Sequence, residues 1–126
     1  MTGIDPVPNA SADDLACLQA AELTGVFVWK YGVTLRFNNQ PLTITVESNA
    51  EFQSQGRAEV YQHEVIVAFG ARMLSLLGCN VVAIQVGSDR MLTLDFSDGA
   101  TVRLRPDDTG YESYSVGLSD GSIYTG

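Results

Sequence analysis

Two stretches with one shared pattern dominate the sequence: Val33-Thr-Leu-Arg-Phe-Asn-Asn-Gln40 and Leu92-Thr-Leu-Asp-Phe-Ser-Asp-Gly99. In both, apolar and polar residues alternate over five positions, and a polar cluster follows. Alternation with a period of two places the apolar side chains on one face of a β-strand. Asp98-Gly99 is typical of a hairpin turn because both residues tolerate positive φ. Each stretch therefore predicts a strand with one buried face that ends at a tight turn.

The residues after each stretch alternate in the same way and predict the returning strand of an antiparallel hairpin. A glycine break precedes both hairpins, so residues 23–47 and 76–106 form an internal pseudo-repeat. Two amphipathic hairpins with their apolar faces together predict a small sandwich or a strongly curved sheet. The inward-facing residues of the returning strands are Leu42, Ile44 and Val46 in the first hairpin and Ala100, Val102 and Leu104 in the second.

Outside the pseudo-repeat, the sequence predicts two helices and a few further strands, which gives an α+β domain that is mainly β. Ser11 and Asp14 have the spacing of a capping box, and they open a predicted N-terminal helix that ends near Leu23. The remaining predicted elements are a long polar connection over 47–57, a strand over 58–67, a short middle helix over 71–77 and one or two short strands around the Asp120-Gly121 turn.

Length and composition indicate one folded domain. The chain has 126 residues, of which 45% are hydrophobic and 17% are charged. That length fits a single compact unit, and that composition excludes disorder over most of the chain. Residues 1–10 contain Pro6 and Pro8 and no periodic pattern, which predicts a flexible N-terminal arm. Residues 11–126 are predicted to form the single β-rich domain.

The chain is strongly acidic. Fifteen Asp and Glu residues against seven Lys and Arg residues give a formal net charge of −8. Such a field repels phosphate groups and anionic lipid, so we expect neither a nucleic acid nor a membrane as the partner, and it favours a basic protein. No apolar run reaches the ~18–20 residues that span a bilayer. The sequence has no secretory signal and predicts a cytoplasmic protein, in which Cys17 and Cys79 are interpreted as reduced thiols, with a disulfide between them as the alternative.

Residues suited to catalysis are few. His63 is the single histidine, and Cys79 is a nucleophile that could pair with it in space, but no local signature surrounds either residue. The carboxylates at Asp98 and Asp107-Asp108 fall in turns and lack the spacing of a calcium loop. No glycine-rich phosphate loop occurs. The sequence therefore predicts no enzyme, no cofactor and no metal site.

Aromatic and acidic residues are better candidates for a binding surface. Tyr and Trp are enriched at the centres of protein interfaces, and they also occur at the rim of a small β core. For Phe27 and Trp29 the core interpretation is favoured. An alternative function is the binding of a small anionic ligand on a sheet face or in a dimer cleft, and a homodimer stays open. The predicted partner-binding residues are Trp29, Tyr31, Asp107, Asp108, Tyr111, Glu112 and Tyr114, and the alternative ligand-binding residues are Arg36, Arg103 and Arg105.

The second half combines Leu77-Gly78 before a strand, the stretch 92–99, Val102-Arg-Leu-Arg-Pro106 and Tyr111-Glu-Ser-Tyr114, with Gly117 and Asp120-Gly121 beyond them. This combination, over residues 70–124, resembles a family of small bacterial proteins of unknown function, in which a tryptophan is usual at the position of Tyr114. The resemblance implies a single β-rich domain without a recognised active site, and some members are encoded beside toxins as candidate immunity proteins. We therefore expect a non-catalytic protein-binding module, of immunity or inhibitor type, that occludes a basic partner.

Overall fold

Two antiparallel sheets make up most of the chain in the computed structural model, which describes residues 18–38, 42–87, 90–106, 114–118 and 123–125. Within these residues, ten strands form two five-stranded sheets, and one helical segment lies between the fifth and sixth strands. The prediction of a mainly β domain is confirmed.

The first sheet has the strand order β1-β2-β3-β9-β10, and the second has the order β5-β4-β8-β7-β6. The strands of the first sheet are β1 (Leu23–Trp29), β2 (Gly32–Phe37), β3 (Leu42–Val46), β9 (Tyr114–Leu118) and β10 (Ile123–Thr125). Those of the second are β4 (Ala50–Ser54), β5 (Arg57–Tyr61), β6 (Val81–Val86), β7 (Leu92–Phe96) and β8 (Thr101–Leu104). The helical segment consists of a 3-10 turn (His63–Val65), helix α1 (Ile66–Met73) and a second 3-10 turn (Leu74–Leu76).

The chain divides into two halves with the same topology. Strands β1-β2-β3 form a three-stranded meander in the first sheet, and β6-β7-β8 form the same meander in the second. After each meander, the chain crosses to the other sheet and adds a hairpin there. Hairpin β4-β5 pairs with β8 through β4, and hairpin β9-β10 pairs with β3 through β9. Each half therefore completes the sheet of the other half.

The strand registers of the two halves also correspond. Position 35 of β2 faces position 44 of β3, and position 94 of β7 faces position 102 of β8. In both halves, the pairing of the first two strands shifts register at the same place, between Leu23 and Gly25 in one and between Val81 and Ala83 in the other. The two meanders thus correspond strand by strand, with one extra residue between β2 and β3 in the first half and one extra residue between β6 and β7 in the second.

Reciprocal hydrogen bonds join the two halves at the starts of their meanders. The N–H of Leu23 donates to the carbonyl of Cys79 at 2.9 Å, and the N–H of Val81 donates to the carbonyl of Ala21 at 2.8 Å. Between them, Glu22 and Asn80 form an isolated antiparallel bridge. Since each bond has its counterpart in the other half, the two halves are related by a local pseudo-two-fold axis through this bridge.

Alternate side chains of both sheets point into one hydrophobic core. Helix α1 contacts β1 and β2 in the first sheet and β4 and β5 in the second, and its buried face contains Phe69, Gly70 and Met73. The predicted inward-facing positions of the returning strands that the structure describes are buried, namely Ile44, Val46, Ala100, Val102 and Leu104. The core is therefore shared by both sheets and the helix.

The predicted N-terminal helix is not supported. Leu18 to Ala20 form a turn, and Leu23 is the first residue of β1, so no helix extends to that residue. Hydrogen bonds with Cys79 and Val81 join residues 20–23 to the start of the second meander. The rest of the predicted helix and the flexible arm, residues 1–17, lie outside the described residues.

Two predictions in the middle of the chain are wrong in their boundaries. The strand predicted over 58–67 ends at Tyr61, because the apolar residues beyond it have helical spacing: Ile66, Phe69 and Met73 are buried on one face of α1. The middle helix therefore begins before residue 71. The polar connection predicted over 47–57 contains β4, whose outward-facing residues Glu51 and Gln53 accept hydrogen bonds from Arg103 of β8.

Candidate binding surface

Large aromatic side chains are exposed along β1, which is an edge strand. Val26 packs against the core and Val28 lies against α1, so Phe27 and Trp29 occupy the opposite, outer face of the first sheet. Phe27 is 51% exposed, Trp29 is 41% exposed and Tyr31, in the following turn, is 54% exposed. We call these three side chains the aromatic edge. The core interpretation of Phe27 and Trp29 is wrong, because the inner face of β1 is the one that the helix covers.

The rings of Phe27 and Trp29 lie against the sheet, in space that glycines leave free. A Cβ atom at Gly32, which pairs with Trp29, would lie 2.9 Å from the Cζ2 atom of the indole. The indole therefore crosses from β1 over β2 in space that a side chain at position 32 would fill. Phe27 lies in the same way beside Gly25, and the guanidinium carbon of Arg36 is 5.8 Å from the centre of its ring. These contacts orient the rings of Phe27 and Trp29.

Next to the aromatic edge, the outer face of the first sheet carries hydroxyl groups. The side-chain oxygens of Thr34 and Thr45 are 3.0 Å apart on neighbouring strands, and Ser115 faces Thr45 on β9. Among the strand residues that the structure describes on this face, none is a carboxylate. Arg36 is the charged residue among the described strand residues of this face.

The outer face of the second sheet is different, because it is charged and its charges are paired. Glu51 accepts hydrogen bonds from Arg103 at 2.9 Å and from Arg105 at 3.0 Å. Arg103 also donates to Gln53 at 2.7 Å. Arg36 lies in the other sheet, so the structure does not bring the three predicted ligand-binding arginines together, and two of them already contact a carboxylate. The sequence predicted their exposure but could not show their partner on β4.

The predicted residues near the C-terminus have different locations. Tyr114 is only 2% exposed, and its hydroxyl donates to the backbone carbonyl of Arg90 at 2.5 Å. It is a core residue and is not available to a partner. The other four predicted positions, Asp107, Asp108, Tyr111 and Glu112, lie outside the described residues.

His63 and Cys79 lie at opposite ends of the helical segment. His63 begins it, with Nδ1 3.3 Å from the carbonyl oxygen of Glu47, and Cys79 follows its end. A helical segment of this length spans roughly 20 Å, so the pair is not brought together. In the described segments, no group of three or more His, Cys, Asp or Glu side chains could hold a metal ion. Likewise, none of the helices in that part of the chain has the length and apolar character of a membrane-spanning helix.

The acidic excess lies outside the described residues. Seven of the fifteen acidic residues and all seven basic residues fall in the described segments, which therefore carry no net formal charge. The other eight acidic residues are Asp5, Asp13, Asp14, Asp89, Asp107, Asp108, Glu112 and Asp120.

One further group of residues was not predicted from the sequence. Arg57, Arg72 and Asp98 are distant in the chain, but they line one polar cleft on the second sheet. No local pattern could predict this, because α1, the β4-β5 hairpin and the β7-β8 turn meet only in the folded chain.

Comparison of the chain with protein-family models, with curated proteins and with solved structures finds no match. The resemblance to a bacterial family therefore stays a prediction from the residues that carry it.

Proposed function

We propose that this protein is a non-catalytic protein-binding module, of inhibitor or immunity type, that binds a basic partner through its aromatic edge. The observation that carries the proposal is the exposure of Phe27 and Trp29 on strand β1 and of Tyr31 in the turn that follows it. Aromatic residues of this kind provide a large share of the binding energy in protein interfaces, because they bury much area and lose little conformational entropy.

The second half of the chain supports the proposal, since it provides an internal comparison. Position 85 of β6 corresponds to position 27 of β1, because each faces a threonine one strand away. The residue there is Gln85, and Gly87 corresponds to Trp29. The same backbone arrangement thus forms with polar or absent side chains at these positions. The fold does not require the aromatic rings of β1, which favours a role in binding.

The edge position also supports contact with a partner. Among the residues that the structure describes, strand β1 has a neighbouring strand on one side only, and no charged residue occurs between Leu23 and Trp29. Natural edge strands usually carry charges, prolines or bulges that prevent pairing with other chains. The bulge of β1 lies near its start, so the part that bears the aromatic rings lacks such protection.

Attraction of the partner is assigned to the acidic residues outside the described segments. Among the described residues, the charges beside the aromatic edge are Lys30, whose Nζ is 5.3 Å from the centre of the Tyr31 ring, and Arg36 next to Phe27. They do not attract a basic protein. We therefore separate two roles: the aromatic edge provides contact area, and the eight surplus carboxylates increase the association rate.

The test is capture of a partner from cells of the source organism, followed by binding measurements with the purified pair. We expect Phe27→Ser/Trp29→Ser to weaken binding by at least about 100-fold, as loss of interface aromatics does. The matched control is Val82→Ser, which removes a side chain of similar exposure from the corresponding edge strand β6. Far-UV circular dichroism checks that both variants fold. Equal binding by the double variant and the wild type would contradict the proposal.

Salt dependence tests the electrostatic part separately. Because the Debye length falls from about 10 Å at 0.1 M to about 3 Å at 1 M ionic strength, the association rate constant should decrease with added salt while the dissociation rate changes little. An association rate that is independent of salt would show that the partner is not attracted by the acidic residues.

A further inference from the structure

A polar cleft of about 420 Å³ opens on the inner side of the second sheet, away from the aromatic edge. Arg57 and Glu59 of β5 and Phe52 of β4 form one side. Arg72 of α1 and Asp98 of the β7-β8 turn also line the cleft. The cleft is lined by two guanidinium groups and two carboxylates, so the ligand that it suits depends on which of these charges are already paired.

Arg72 and Glu59 are paired with each other. The Nε atom of Arg72 is 2.9 Å from Oε1 of Glu59, and its guanidinium carbon lies 4.6 Å from the centre of the Phe52 ring. The hydroxyl of Tyr61 donates to the same Glu59 oxygen at 2.9 Å. This hydrogen bond, and then the one from Arg72, hold the pKa of Glu59 below its ordinary value, so the carboxylate stays charged. The Arg72–Glu59 ion pair lines the cleft, and the Nη atoms of Arg72 remain there as hydrogen-bond donors.

Arg57 and Asp98 are different, because neither forms an ion pair with any residue of the described segments, although the charge of Arg57 is close enough to Glu59 to help lower the pKa of that carboxyl group. Asp98 uses one carboxylate oxygen, Oδ1, to accept the N–H of Ala100 at 2.9 Å. Two strands, β4 and β8, separate β5 from the turn that holds Asp98, which places their backbones on the order of 10 Å apart. Two opposite charges therefore line one cleft without meeting.

We infer that the cleft binds a small zwitterion of the amino-acid class, with its carboxylate on Arg57 and the Nη atoms of Arg72 and its ammonium group on Asp98. A guanidinium is suited to a carboxylate because its parallel N–H groups match the two oxygens. A ligand with only a negative charge would be repelled by Asp98 and would leave that carboxylate without a partner. A ligand with only a positive charge would be repelled by Arg57 and would leave that guanidinium without a partner. A molecule with both charges compensates both residues at once.

The experiment is a chemical-shift titration of the ¹⁵N-labelled full chain with L-serine as the zwitterion and with acetate and methylammonium as probes of one charge each. We expect saturable shifts at the backbone amides of Arg57 and Gly99, at ligand concentrations up to about 50 mM, because a ligand with so few contacts binds in the millimolar range. The dissociation constant for L-serine should be at least about tenfold lower than for either single-charge probe.

Variants decide whether the two named charges are responsible. Arg57→Gln and Asp98→Asn should each raise the dissociation constant for L-serine at least about tenfold, and asparagine keeps the oxygen that accepts the Ala100 N–H. The control is Arg105→Gln, which removes an exposed guanidinium from the outer face of the same sheet. Acetate that binds as tightly as L-serine, unchanged binding by Asp98→Asn or Arg57→Gln, or the absence of saturable shifts would overturn the inference.

Discussion

Gly70 lies within α1, where a glycine costs about 1 kcal/mol of helix stability relative to alanine. The glycine is nevertheless favourable here because it permits close packing. A Cβ atom at this position would lie 2.5 Å from Cγ2 of Val28 and 3.0 Å from Cγ2 of Val33. Those are neighbouring residues of β1 and β2, and their branched side chains have few alternative rotamers. The absence of a side chain at residue 70 thus allows the helix to approach the edge of the first sheet.

This contact predicts that Gly70→Ala destabilises the protein, by about 1–2 kcal/mol, although helix propensity alone predicts stabilisation. In a Val28→Ala background, the same substitution should cost less, because the closest atom has been removed. Urea unfolding of the four chains of this double-mutant cycle measures the coupling. A stability gain of about 1 kcal/mol in the Gly70→Ala single variant would show that the helix does not pack as described.

At the scale of elements, the two sheets differ in the interactions between the side chains on their outer faces. Glu51 connects β4 to β8, and therefore the hairpin of one half to the meander of the other, through Arg103 and Arg105. The Glu51 side chain is only 14% exposed, whereas that of Arg105 is 48% exposed. Removal of the shared acceptor leaves two guanidinium groups side by side, while removal of the exposed donor leaves the other pair intact.

We therefore expect Glu51→Gln to lower the free energy of unfolding by about 1–3 kcal/mol, because hydrogen bonds to charged, partly buried groups are lost. Arg105→Gln should cost less than about 1 kcal/mol, as is typical of an exposed ion pair. Chemical denaturation at low salt measures both. If the two variants were equally stable, the pairing across β4 and β8 would not contribute to holding the halves together.

At the scale of the whole molecule, the pseudo-two-fold relation makes the order of the halves unimportant. Each half contributes three strands to one sheet and two to the other, and the connection between β5 and α1 crosses no strand pairing. A chain that begins at His63, continues through Gly126 and a flexible linker to Met1, and ends at Gln62 keeps every pairing of the described strands.

This permuted chain should fold with the circular dichroism spectrum of the wild type and unfold in one cooperative transition, since a cut in an exposed connection is usually tolerated. A second chain, opened between Val102 and Arg103, is the control. It interrupts β8, which pairs with both β4 and β7, and it should not fold. If the first chain also failed to fold, the two halves would not be the interchangeable units that the strand pairing indicates.

The local patterns of the sequence were sufficient for the hairpin strands. The alternation in 33–37 and 92–96 specifies one buried face in any sheet, because a strand has only two faces. It also determined which residues of the returning strands are buried. β4 was missed because only Ala50 and Phe52 in it are apolar, and its polar residues face arginines that are about fifty positions away.

The tertiary structure alone decided which of these side chains are exposed. The aromatic residues of β1 could not be assigned to core or surface from spacing, because that depends on which face α1 covers. The same is true of the cleft at Arg57 and Asp98, which exists because a helix, a hairpin and a turn from separate parts of the chain converge. The periodicity of the sequence shows which residues share a face of a strand or helix. Which of the two faces is covered depends on long-range packing. The amino-acid sequence by itself therefore determined the strands, and only the fold decided which side chains remain exposed for binding.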